Sequence, residues 1–156
     1  MSSVQQSFEK LISLAIKRED EAYEFYTKAA ENAEQVSSKK LLIELARQEE
    51  GHKKKLQSAL GEGLCDTFTC ETIEELEEMD LSQYLTDVPL KPSSSSQDIL
   101  IVAIKREEGA FEFYKALSEL TGDPSHRAVF ETLAGEEKKH KELLESIYDE
   151  RIQPWM

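Results

Sequence analysis

Two separate stretches of this chain occur twice, and the spacing between the copies is the same for both. Residues 15–26 read AIKREDEAYEFY and residues 103–114 read AIKREEGAFEFY; residues 45–56 read LARQEEGHKKKL and residues 133–144 read LAGEEKKHKELL. From 15 to 103, as from 45 to 133, is a step of 88 positions. A shared offset means duplication of a whole supersecondary unit, because two unrelated coincidences would not keep one register. The repeat spans 5–60 and 96–150, and an unlike connector occupies 61–95.

Each copy has the periodicity of paired helices. Ile12, Ala15, Glu19, Ala22, Tyr26, Ala29 and Ala33 follow alternating three- and four-residue steps, as do Leu42, Leu45, Glu49, His52, Leu56 and Ala59. In the second copy the seams are Leu100, Ala103, Glu107, Ala110, Tyr114 and Leu117, then Phe130, Leu133, Glu137, His140, Leu144 and Ile147. Boundary signals agree with four helices. Ser37 or Ser38 is placed to cap the second, the stretch from Pro92 to Ser96 opens the third, and Asp123 followed by Pro124 opens the fourth. Short turns within each copy predict antiparallel hairpins, and Thr72 with Glu75 predicts a capped short helix running to Met79. The expected fold is all-α: a four-helix bundle of two repeated hairpins joined by a long crossover containing a short helix.

Composition narrows the function classes. A chain of 156 residues with 39% hydrophobic side chains fills one core, so 1–156 is expected to be a single domain. Its formal charge of -13 repels phosphate backbones and anionic lipid, so neither nucleic acid nor membrane is an expected partner. No run of about 20 apolar residues is present, and the N-terminal stretch lacks a basic start followed by an apolar run. The two cysteines, Cys65 and Cys70, provide no disulfide framework and no paired C-x2-C knuckles. A reducing, cytoplasmic setting is expected, with both read as free thiols and a redox pair as the alternative, since their spacing permits a disulfide without predicting one.

The seams themselves contain the chemistry. Each carries a carboxylate where an apolar side chain belongs: Glu19, Glu49, Glu107 and Glu137. Residues three apart share a helix face, so Glu49-x-x-His52 and Glu137-x-x-His140 each turn a carboxylate and an imidazole inward. In so acidic a chain, a Glu three positions before a given His arises by chance about one time in six, usually on a solvated surface. Matching repeat positions, matching core slots and partner carboxylates on the other two helices argue against that reading. Four carboxylates buried together require protonation or cations, and two divalent ions supply the four positive charges. Mixed oxygen and nitrogen donors suit iron or manganese, with zinc as a substitute. A Glu on each of two helices and a Glu-x-x-His on each of the other two is the recognised pattern of dinuclear carboxylate bundles.

Taken together, the two AIKRE-x-x-A-(Y/F)-EFY stretches and the two LA-x-x-E-x-x-H stretches make the chain resemble the rubrerythrin-like diiron domain of the ferritin-like superfamily over nearly its entire length. The resemblance implies two iron ions held by Glu19, Glu49, His52, Glu107, Glu137 and His140, with the four glutamates also catalytic. It implies a diiron peroxidase that reduces hydrogen peroxide to water in oxidative-stress defence, supplied with electrons by an external rubredoxin or flavoprotein, and a homodimer. In such proteins tyrosines placed like Tyr26 and Tyr114 hydrogen-bond the ligands, and residues placed like Gln48 and Glu136 orient the histidine rings. The chain departs from typical rubrerythrins in having Ala110 where a further carboxylate allows a ligand swap, and in having no rubredoxin module within it. Its symmetric six-ligand set is closer to the bacterioferritin pattern.

Three other roles use the same ligands or none: a ferroxidase or iron-binding protein acting with dioxygen, a metal-dependent sensor or binding module without turnover, and a helical scaffold whose metal only offsets carboxylate repulsion. Outside the seams, Asp123-x-x-His126 has ligand-like spacing, but Asp123 is already explained as a cap, so His126 is expected at the surface. Trp155 has no readable role.

Overall fold

The computed structural model describes residues 3–32, 36–63 and 96–151. Four α-helices account for nearly all of them: α1 Ser3–Asn32, α2 Val36–Gly61, α3 Ser96–Leu120 and α4 Pro124–Arg151. Among the described residues there is no strand. The capped short helix expected from Thr72 to Met79, both cysteines, Ala33 and Trp155 lie outside the described residues.

The chain divides into two compact units, Met1–Ile73 and Glu74–Met156. In the first, α1 packs against α2; in the second, α3 packs against α4. The hairpin geometry follows from length. A 30-residue helix is about 45 Å long, and the short segment between Asn32 and Val36 cannot run back along it, so α2 must return antiparallel beside α1. The equally short break between Leu120 and Pro124 imposes the same arrangement on α3 and α4.

The buried faces are the expected seams. Ile12, Ala15, Glu19 and Tyr26 of α1 and Leu45, Glu49, His52, Leu56 and Ala59 of α2 are buried, as are Ala103, Glu107, Tyr114 and Leu117 of α3 and Phe130, Leu133, Glu137, His140 and Leu144 of α4. Seam positions toward the helix ends, Leu42, Leu100 and Ile147, are half-buried, and so are Ala22 and Ala110 within the helices. At the C-terminal end of α1 the buried residue is Ala30, with Ala29 half-buried, because a 3.6-residue turn drifts against a strict seven-residue repeat. The duplication extends to ring packing. Phe25 and Tyr26 meet edge to face at 5.3 Å, and their equivalents Phe113 and Tyr114 do so at the same 5.3 Å. The second unit adds a stack between Tyr114 and Phe130 at 6.4 Å, where the first unit has Leu42 in place of the phenyl ring.

The caps divide into one confirmed and one corrected. Asp123 Oδ1 accepts from the backbone N–H of Ser125 at 2.7 Å and of His126 at 3.4 Å, with Pro124 as the first residue of α4. On the other hand, α2 begins at Val36, so Ser37 and Ser38 lie inside its first turn and do not precede the helix as a cap would. At the far end of α2, Gly63 turns left-handed with φ 83° while the N–H of Glu62 and of Gly63 return to the carbonyls of Ser58 and Leu60 at 3.0 and 3.2 Å.

Candidate metal centre

Each unit builds one set of donors from two helices. In the first, α1 contributes Glu19 and α2 contributes Glu49 and His52, the latter two one turn apart on the same face. In the second, α3 contributes Glu107 and α4 contributes Glu137 and His140. All six side chains are 1–3% exposed. Three ionisable groups withdrawn from water within one helix pair would be strongly disfavoured without a compensating charge.

The distances identify what relates these groups. His52 Nδ1 lies 3.7 Å from Glu19 Oε2 and 3.7 Å from Glu49 Oε1. His140 Nδ1 lies 3.5 Å from Glu107 Oε2 and 4.0 Å from Glu137 Oε1. Such separations exceed a good N–H···O hydrogen bond, which is about 2.7–3.2 Å. They match two donor atoms that each stand about 2.1 Å from a shared ion, which puts the donors roughly 3–4 Å from each other. Within each unit, one ligand atom from each of the three residues lies within 4.8 Å of the others. Two carboxylate oxygens and an imidazole nitrogen form a donor set for a first-row divalent ion such as iron. The residues present therefore fit a metal.

A pair of residues that sequence reasoning passed over sits beside each set. Lys53 Nζ donates to Asp20 at 2.8 Å, and Lys141 Nζ to Glu108 at 3.5 Å. Each pair joins the residue after the α1 or α3 glutamate to the residue after the histidine. Exposed pairs of this kind are worth about 0–1 kcal/mol, so their interest is register: they align the two helices at the level of the donors. The 88-residue offset carries Asp20 onto an acid and Lys53 onto a lysine, and was the signal available.

Tyr26 and Tyr114 are buried on the donor seam, two turns beyond Glu19 and Glu107. Gln48 and Glu136 are half-buried next to Glu49 and Glu137, and Gln48 donates to Glu44 of its own helix at 3.3 Å. Ala110 presents no donor atom. His126 corrects an expectation: it is buried, 4% exposed, with Nδ1 4.0 Å from Asp123 Oδ2. The steps from His126 to Phe130, Leu133, Glu137 and His140 are four, three, four and three residues, so the α4 seam extends one turn further back than its apolar pattern revealed. The Ser125 N–H donating to Asp123 is the main reason that carboxyl is held below the ordinary carboxylate range. Among the described residues no helix is long and apolar enough to cross a membrane.

Comparison with known proteins agrees with this arrangement. The rubrerythrin family model matches residues 1–60 and 98–154, which are the two copies of the repeat without the connector. No curated protein and no solved structure gives a significant match. The matched stretches contain all six donors, and with most of its length matched the chain belongs to the rubrerythrin family, whose fold class is the all-α, ferritin-like four-helix bundle.

Proposed function

We propose that the protein is a diiron oxidoreductase that binds two ions per chain, one for each Glu-Glu-His set, and reduces hydrogen peroxide to water with electrons from an external donor protein. The observation that carries this reading is the duplicated donor geometry, with histidine Nδ1 atoms 3.5–4.0 Å from two buried carboxylates in each unit. Family membership supports iron over other divalent ions.

Bound iron would supply the two electrons that, with two protons, convert one hydrogen peroxide into two waters. The chain's own contribution is to hold and to exclude. Four carboxylates on rigid helices balance two divalent charges and favour the more oxidised, more highly charged ions. The buried apolar residues flanking them in each seam, Ala15, Leu45, Leu56, Ala103, Leu133 and Leu144, keep bulk water from the donors. Tyr26 and Tyr114 place hydroxyl groups along the same seams.

The test is anaerobic loading with Fe(II), followed by mixing with one peroxide per two bound irons in a stopped-flow instrument. Uptake of two irons per chain, with oxidation at least tenfold faster by peroxide than by dioxygen, is expected. Faster oxidation by dioxygen would instead make the protein a ferroxidase or sensor, and failure to take up two ions would remove the diiron reading altogether.

A further inference from the structure

Charge is distributed unevenly over the helices. Helix α2 contains six basic residues against three acidic ones, and one of the three, Glu49, is a buried donor. Each of the other described helices has two more acids than bases. In a chain of net charge -13, α2 is thus a local positive surface.

Its side chains are ordered about the helix axis. Leu45, Glu49, His52 and Leu56 form the buried face. At 100° per residue, Val36, Ile43, Arg47 and Lys54 fall on the opposite side, with Lys40 alongside. This stripe is open: Val36 is 69% and Ile43 44% exposed, and the Arg47 and Lys54 side chains are each 73% exposed. Arg47 pairs with Glu44 at 3.3 Å and Lys54 with Glu50 at 3.9 Å, one turn away on the same helix. Exposed pairs of this type contribute little, so both cations exchange readily to a partner's carboxylates. On the flank of the stripe, a Cβ added at Gly51 would meet nothing within 4 Å, which leaves bare backbone beside the turn that carries Glu49 and His52.

We propose that this outward face of α2 is the docking surface for a small acidic electron-carrier protein. The inference rests on the oxidoreductase reading above and locates the partner that reading requires. Three observations converge: cations interleaved with two exposed aliphatic side chains, an excess of positive charge confined to one helix, and the position of that face directly behind the donors. A carrier seated there stands about one helix diameter, roughly 10 Å, from the donor side of α2. One helix face matches the small interfaces of transient electron-transfer complexes, under about 1,200 Å². An extended anionic surface such as a bilayer or a nucleic acid would meet the net negative charge of the whole chain, whereas an acidic patch on a small protein meets α2 within the screening distance of about 8 Å.

The experiment uses the zinc-loaded, isotope-labelled full chain, titrated with an acidic rubredoxin and, as a charge control, with a basic cytochrome c. Binding of rubredoxin alone is expected, with amide shifts concentrated on the outward positions of α2. Arg47→Glu combined with Lys54→Glu should weaken it at least tenfold, and Ile43→Ser severalfold, with helix content and two metals per chain unchanged. Raising the salt to about 0.3 M should abolish the complex. Undiminished binding by the charge-reversed variant, or shifts centred on another helix, would overturn the proposal. So would charge-dependent binding to phosphatidylserine vesicles in place of rubredoxin, or self-association that the same substitutions abolish, since these would assign the face to lipid or to a second copy. Two bound metals without rubredoxin binding would remove the docking surface and leave the diiron reading intact. Rubredoxin binding by a chain that takes up no metal would do the reverse.

Discussion

His52 Nδ1 stands 3.7 Å from Glu19 Oε2, a residue 33 positions earlier on the neighbouring helix, and His140 stands 3.5 Å from Glu107, also 33 positions earlier. The two relationships are the same contact made twice by two copies of one hairpin. Neither is a hydrogen bond by length, and both fit atoms that share an ion.

This equivalence predicts that the sets can be emptied separately. His52→Ala should reduce bound iron from two ions per chain toward one, and His140→Ala should do the same; combining them should leave at most weak binding. Each loss should exceed tenfold in affinity for the altered set, because a ligand contributes more than the outer partners whose loss already costs about 10- to 100-fold. Metal analysis after gel filtration, with circular dichroism to show retained helix, checks it. Full iron content in the double variant would show that the imidazoles are structural.

Asp123 gives a pH dependence with a definite sign. Its carboxyl is held below the ordinary range, first by the Ser125 N–H, so its ionised form favours the folded state. The contribution is complete above the unfolded value of about 3.9 and is lost as pH falls through the lower folded value. Asp123→Asn keeps a capping oxygen but removes the titration. Thermal midpoints should therefore show wild type ahead of Asp123→Asn at pH 6, with the gap closing as pH drops below about 4. A gap that widens with acid would refute the assignment.

The glycines separate by conformation. A Cβ at Gly51 or Gly135 meets nothing within 4 Å, and both lie inside helices, so Gly51→Ala and Gly135→Ala should each stabilise the fold by about 0.5–1 kcal/mol. Gly63 adopts a left-handed φ of 83°, where an L side chain costs about 1–2 kcal/mol, so Gly63→Ala should be destabilising. Urea denaturation of the three variants tests both signs.

Much of the candidate site is legible in the sequence. The six donors stand out because a carboxylate or imidazole in an apolar seam conflicts with its surroundings, and the 88-residue offset shows that the conflict occurs twice in register. The rotation of each helix follows from its own period, which is why Ile12, Leu45, Leu117 and Leu133 are buried as their spacing required.

What lay beyond local pattern depended on how neighbouring segments pack. Nothing in the order of Ser37 and Ser38 reveals that α2 already starts at Val36, because a cap is chosen by the path of the incoming chain as well as by its own side chain. His126 is polar and close to a turn, which suggests exposure, yet capping by Asp123 sets the first turn of α4 so that the seam includes it. The pairing of Lys53 with Asp20 likewise required the two helices to be placed side by side. Sequence alone determined the repeat and the helices and singled out the candidate donor residues, because these depend on periods of three to four residues that a helix imposes by itself. Tertiary structure decided the histidine-to-carboxylate distances, the burial of His126 and the openness of the basic face of α2, because each depends on what one helix finds on the surface of another.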